Sequence, residues 1–170
     1  AVAEEMTQSP QQNDVLVIPA RGGLGSELET QANAIAAKIG KKLGGTYKLL
    51  NVPDTLEEEA LDIIIKNDEI KGSIELINSI NLLVFGIGRA DTMAHRRNLS
   101  EERINNILGK GSVAEAFGHY FDIEGKEVWE YKTIGLSLNK FKEIQTVIGV
   151  AGGSEKAEAI IAISSLTKDI

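Results

Sequence analysis

Apolar residues along this chain switch between two spacings. Val15–Ala20 is an unbroken apolar run, the pattern of a parallel strand buried on both faces. Ser26 and Glu29 then make a capping box. Leu28, Ala32, Ile35, Ala36, Ile39 and Leu43 follow at helical spacing, and Gly44-Gly45 closes that helix. Tyr47–Val52 reads as a second strand, and Thr55 with Glu58 as a second capping box ahead of Leu56, Ala60, Leu61, Ile64 and Ile65. A short helix through Ile70, Ile74, Ile77 and Ile80 leads into a strand at Leu82–Gly86. Ser100 with Glu101 and Glu102 marks another helix start, its acids at the positive end of the dipole.

Further along, Tyr120–Ile123, Glu124-Gly125 and Glu127–Tyr131 predict an antiparallel hairpin. Thr146–Val150 is the last strand, followed by a Gly152-Gly153 turn and a helix through Ile160, Ile161 and Leu166. This alternation predicts an α/β fold: a mostly parallel sheet flanked by helices, with a small β-hairpin excursion, and ligands at the carboxyl ends of the strands.

With 170 residues, the chain is expected to form a single domain, residues 1–170. No apolar run is long enough for a membrane helix, so no membrane partner is expected. The start, Ala1-Val2-Ala3-Glu4-Glu5-Met6, lacks the basic and apolar regions of a signal peptide. Its apolar residues read instead as the end of a helix broken at Ser9-Pro10, and the expectation is a piece of a longer protein. The absence of cysteine excludes disulfides, thiolate metal sites and a cysteine nucleophile, and fits a cytoplasmic location. A net charge of −7 argues against nucleic-acid binding by these residues, because that affinity rests on Lys and Arg.

Against that acidic background, three strand-to-turn junctions carry cations. Pro19-Ala20-Arg21-Gly22-Gly23-Leu24-Gly25 is a strand feeding a glycine turn feeding a helix, an arrangement suited to an anion. Val150-Ala151-Gly152-Gly153-Ser154-Glu155-Lys156 repeats it, with Ser154 as candidate N-cap and Lys156 in place of the arginine. Gly86-Ile87-Gly88-Arg89 is the third, and Arg96 and Arg97 follow it. Two such turns suit a ligand with two phosphates, or one phosphate held from two sides. The same turns equally serve as plain connections with solvated cations.

Glu115, inside Val113-Ala114-Glu115-Ala116-Phe117, is costly to bury alone; it can accept sugar hydroxyls or pair with a nearby arginine. No dinucleotide fingerprint or serine-hydrolase elbow is present. His95 and His119 are the only histidines, and their spacing matches no metal motif, so neither a metal nor a cofactor is expected.

Taken together, Arg21-Gly22-Gly23-Leu24-Gly25, Gln31-Ala32-Asn33, Gly86-Ile87-Gly88, Arg96-Arg97-Asn98, Glu115-Ala116-Phe117-Gly118 and Gly152-Gly153-Ser154-x-Lys156 make an ordered set. The set resembles the C-terminal effector-binding domain of SorC-type bacterial transcriptional regulators, over essentially the whole chain. The resemblance implies a Rossmann-like fold related to sugar-phosphate isomerases and a non-catalytic sensing role. It also implies a phosphorylated sugar as effector, fructose-1,6-bisphosphate where the regulator represses glycolytic genes, that modulates oligomerisation (dimer or tetramer) and DNA binding.

Carried over by motif, Arg21, Gly23, Leu24, Gly25 and Gln31 would hold one phosphate with help from Lys156. Arg96 would hold the other, and Glu115 would meet sugar hydroxyls. Gly22, Gly88, Arg89, Gly153 and Ser154 would flank the site. The resemblance places the family's helix-turn-helix, first strand and a further phosphate loop upstream of Ala1, so that DNA contact belongs outside these residues. Two rivals remain at this point: a sugar-phosphate isomerase or deaminase with Glu115 or His95 as base, and an interaction domain whose turns bind anions adventitiously.

Overall fold

A computed structural model of the chain describes residues 2–9, 14–23, 31–53 and 58–166. These divide into two compact units: Ala1–Ser79 with Thr133–Leu136, and Ile80–Lys132 with Ser137–Ile170.

The first unit opens with α1 (Val2–Glu5), which carries the buried Ala3. β1 (Leu16–Val17) pairs in parallel with β2 (Thr46–Tyr47). Between them lies α2 (Ala32–Lys42), which ends as expected at Gly44, where a positive φ of 68° suits glycine. Gly45 N–H donates to the Gly40 carbonyl and Gly44 N–H to that of Lys41, closing a Schellman motif.

Three expectations change in this unit. α2 begins at Ala32, because Gln31 is extended (φ −66°, ψ 136°) and breaks any helix running in from Ser26. Ser26, Glu29, Thr55 and Leu56 lie outside the described residues. β1 is shorter than Val15–Ala20 and is not buried on both faces, since Leu16 is 46% exposed. The Tyr47–Val52 run leaves strand pairing after Tyr47. The Asn33 side chain takes both backbone groups of Leu50, accepting from its N–H at 2.9 Å and donating to its carbonyl at 3.2 Å. α3 (Glu58–Ile64) and α4 (Asp68–Ile77) complete the unit, α4 capped by Asn67 on the N–H groups of Glu69 and Ile70.

The second unit contains β3 (Leu82–Gly86) and β8 (Thr146–Val150), paired in parallel over their whole lengths. Burial alternates along β3: Leu83 is buried, Leu82 and Val84 exposed. One face of this pair is therefore the packed one. β4 (Gly88–Arg89), β5 (Ser112–Ala116), β6 (His119–Asp122) and β7 (Glu127–Glu130) make an antiparallel sheet in that order. The expected hairpin is thus half of a larger antiparallel element.

α5 (Ala90–Arg96) and α6 (Glu101–Gly109) pack on this sheet through Ala90, Ala94, Ile104, Ile107 and Tyr120. Full burial of each large side chain stabilises by roughly 1.5–3 kcal/mol. Ser100 caps α6 by accepting from Arg103 N–H, as its sequence signature predicts. α7 (Leu138–Phe141) precedes β8, and α8 (Ala157–Ser165) follows a 3-10 turn at Ser154–Lys156. Ser154 therefore opens the 3-10 turn and is not the N-cap of α8, whose cap position is Lys156.

Candidate functional site

In the first unit the glycine turn after β1 is fastened to backbone on both sides. Gly22 N–H donates to Ile134 carbonyl at 3.1 Å, and Gly23 N–H to Val52 carbonyl at 3.0 Å. Arg21 bridges Gly135, and Gly23 bridges Pro53. Those two amides are already engaged in holding the turn. Leu24 and Gly25 lie outside the described residues.

The two glycines have different reasons to be glycine. A Cβ at Gly22 would stand 2.7 Å from the Val52 carbonyl oxygen, a close approach of backbone to backbone. A Cβ at Gly23 would collide with Gln31 Oε1 instead. Gln31 thus lies directly against Gly23, and Arg21, Gly22, Gly23 and Gln31 form one local group.

In the second unit, the chain leaves β3 through Gly86-Ile87 and turns into β4. Ile87 N–H donates to the Val150 carbonyl at 3.0 Å, joining the carboxyl ends of β3 and β8. Lys156 Nζ donates to the Ile87 carbonyl at 3.0 Å, so the lysine is drawn over that end of the parallel pair. Gly88 pairs in register with Glu115, and a Cβ on Gly88 would lie 2.5 Å from Met93 Cγ. Gly153 has φ +99°, and the Glu155 carboxylate folds back against it.

Arg96 ends α5 exposed to solvent, while its neighbour Arg97 turns inward and is 4% exposed. Arg97 Nη2 donates to Glu115 Oε1 at 3.0 Å, and its guanidinium lies 5.2 Å from the centre of the Tyr131 ring. Gly118 N–H donates to the same carboxylate oxygen at 2.7 Å. Glu115 takes the alternative its sequence context left open, a buried pair with an arginine. The signal was there in the Arg96-Arg97 doublet, although spacing alone does not tell which of the two faces inward.

The turn that supplies Gly118 puts both of its residues at positive φ, Phe117 at 57° and Gly118 at 90°. This is the backbone of a tight two-residue hairpin, and Phe is an uncommon choice for it. Phe117 is held there by ring contacts to Phe85 at 4.8 Å and Phe141 at 5.3 Å.

Arg89 behaves differently from Arg96. Its Nε and Nη2 donate to the two Asp91 carboxylate oxygens at 3.0 and 2.5 Å. The hydrogen bond and the charge of Asp91 raise the Arg89 pKa above its ordinary value, with Glu155 and Glu158 adding to it. Partial burial pushes the Asp91 carboxyl upward, but the hydrogen bonds from Arg89 and Thr92 outweigh it and hold it below the usual range. Arg89, Asp91, Ser112, Glu155 and Glu158 line a cavity of about 380 Å³, whose charge is mostly negative. His95, the rival candidate base, is exposed with Nδ1 against the Asp91 carbonyl at 2.8 Å.

Residues 1–165 match the family model described as "Putative sugar-binding domain". The chain belongs to this sugar-binding domain family. The central glycolytic genes regulator of Priestia megaterium is 45% identical over 169 residues, covering 99% of this chain and 49% of that protein. Its counterpart in Bacillus subtilis (strain 168) is 44% identical over 162 residues, 95% of this chain and 48% of that protein. A solved SorC-family transcriptional regulator from Enterococcus faecalis has a TM-score of 0.86 at 39% identity, covering 98% of this chain and 67% of that one.

The chain spans about half the length of the curated relatives it matches. The SorC resemblance is thereby met, and so is the α/β class with parallel strand pairs flanked by helices. Each of these relatives bears the name of a transcriptional regulator, and none of the three that of a sugar-phosphate isomerase or deaminase. Among the described residues, no helix is long and apolar enough to cross a membrane.

Proposed function

We propose that this sugar-binding domain is the effector sensor of a cytoplasmic bacterial repressor of glycolytic genes, and that its effector is fructose-1,6-bisphosphate. The observation that carries the reading is 45% identity to a central glycolytic genes regulator across 99% of the chain. The chemistry of the site residues agrees with a doubly phosphorylated ligand. A bisphosphate needs two separate sets of cationic donors, and Arg and Lys are the side chains that supply them.

In this reading Arg21, Gly23, Leu24, Gly25 and Gln31 are the residues that serve one phosphate. Lys156, at the end of the parallel pair β3 and β8, is a further cation for a phosphate. Arg96 holds the other phosphate with its solvent-facing guanidinium. Glu115 meets sugar hydroxyls while its Oε1 stays with Arg97 and Gly118 N–H. Gly88, Gly153 and Ser154 border the ligand, and Arg89 serves Asp91 first. The sensor is non-catalytic and uses no cofactor. Effector binding shifts the regulator's self-association, as dimer or tetramer, provided that the ligand favours one state over another. DNA is contacted by a helix-turn-helix outside these residues.

Phosphorus NMR of fructose-1,6-bisphosphate mixed with the purified chain tests sensor against catalyst. The expected result is broadened or shifted resonances of both phosphates with no new species over hours. Appearance of inorganic phosphate or an isomer, or resonances that never respond, overturns the proposal.

A further inference from the structure

The hairpin of β6 and β7 carries chemistry that sugar binding leaves unused. Side chains alternate along a strand, so His119 and Phe121 share one face of β6. His119 pairs with Glu130, and regular pairing from there would set Phe121 opposite Val128 and send Glu127 to the other face. The register instead shifts between Tyr120 and Phe121, and Phe121 stands opposite Glu127. The extra residue of this bulge re-aims Glu127 onto the side of His119 and Glu130. His119 Nδ1 is 2.7 Å from Glu127 Oε1, and one ligand atom from each of the three residues lies within 4.8 Å of the other two.

Their settings differ in a useful way. His119 is 7% exposed and its ring lies 6.3 Å from that of Phe121, so the imidazole is fixed by its surroundings. Glu127 and Glu130 are exposed. Their side chains have the freedom to shorten the remaining gaps around an ion. One imidazole nitrogen with two carboxylate oxygens is a donor set for a borderline divalent metal such as Zn²⁺ or Co²⁺, with open positions left for water. A dication also relieves the repulsion between two neighbouring carboxylates in a chain of net charge −7.

We infer that His119, Glu127 and Glu130 form a divalent transition-metal site, with His119 as the fixed ligand and the two glutamates closing on the ion. The spacing of His119, Glu127 and Glu130 along the chain matches no metal motif, which is why the sequence argued against such a site. Hairpin register and a bulge bring them together. None of the three is assigned to the effector, so the site stands or falls independently of the sugar reading.

Calorimetric titration of the chain with Zn²⁺, and visible absorption with Co²⁺, test it. The expected result is a single equivalent of metal per chain and Co²⁺ bands typical of nitrogen and oxygen coordination. Glu127→Gln and Glu130→Gln, both at exposed positions that leave folding intact, should each weaken binding by roughly tenfold or more, since even outer partners of metal sites carry that much. His119→Gln should abolish it, and His95→Ala should leave it unchanged. No binding up to millimolar metal, binding that survives both glutamine substitutions, or binding lost in His95→Ala would each overturn the inference.

Discussion

Arg97 and Glu115 form a buried ion pair, 3.0 Å apart, with side chains 0% and 4% exposed. The pair joins the end of α5, which carries the exposed Arg96, to the strand that turns through Phe117-Gly118. Taking two charges out of water is costly, and a buried pair holds only while both members are present. The pair ties β5 to the residue that follows Arg96 at the end of α5.

Removing one member deprives the other of its buried opposite charge. Arg97→Met or Glu115→Gln should each cost about 3–5 kcal/mol of stability. Glutamine retains an acceptor for Gly118 N–H, so the double variant should cost clearly less than the sum of the singles. Urea unfolding of the four proteins checks this. Additive losses would mean that the two charges are stabilised by other groups.

The glycines of the first turn should separate stability from binding. Gly22→Ala drives a methyl against the Val52 and Pro53 carbonyls, at 2.7 and 3.0 Å, and backbone cannot step aside. A loss of about 1–3 kcal/mol is expected, as for overpacking elsewhere. Gly23→Ala meets only the end of the Gln31 side chain, which can swing away. Its stability should stay within about 1 kcal/mol of the parent, while fructose-1,6-bisphosphate affinity drops because Gln31 is displaced. Thermal unfolding and calorimetry on the same samples distinguish the two outcomes.

Much of the fold was legible, and the reasons lie in particular residues. β3 and β8 are continuous apolar runs bounded by turn residues, and their ends fall where Leu82–Gly86 and Thr146–Val150 predict. Ser100 before two glutamates identified the start of α6. Val113–Phe117 did not read as a strand, because Glu115 interrupts the apolar pattern and its partner is far away in sequence. α2 begins at Ala32, after an extended Gln31 that lies against Gly23, a contact no local propensity encodes. The sequence offered the candidate site as a set of turns and cations. Which amides were already engaged, as at Gly22 and Gly23, was not legible, because their acceptors at Ile134 and Val52 come from distant segments.

The two arginines flanking α5 should part company in binding assays. Arg96 is exposed and is expected to lose about 1.5–3 kcal/mol of bisphosphate binding on change to Ala, as for a charged hydrogen bond. Its unfolding transition should not move. Arg89 is committed to Asp91, and Arg89→Ala should leave effector affinity within about twofold, well under the 1.4 kcal/mol that corresponds to tenfold. Equal losses from both would place Arg89 in the phosphate site.

The same Arg89–Asp91 pair gives a signed dependence on acidity. The Asp91 carboxyl is held below its ordinary value of 3.8 in the folded chain. A depressed carboxylate contributes stability above the unfolded value, and that contribution disappears as pH falls through the folded one. The stability difference between the parent and Asp91→Asn should therefore be constant from neutral pH down to about 5 and shrink as pH falls below 4. The exposure of both groups keeps the effect small. Denaturant titrations across that range check it, and a difference independent of pH would show that Asp91 acts by shape alone.

The central claim is a sensor whose ligand carries two phosphates. Calorimetric titration with fructose-1,6-bisphosphate and then fructose-6-phosphate tests it most directly. The account predicts binding at least about tenfold tighter for the bisphosphate, the 1.4 kcal/mol or more that a second phosphate gripped by arginine supplies. Equal affinity for the two sugars, or heat from neither, would contradict it.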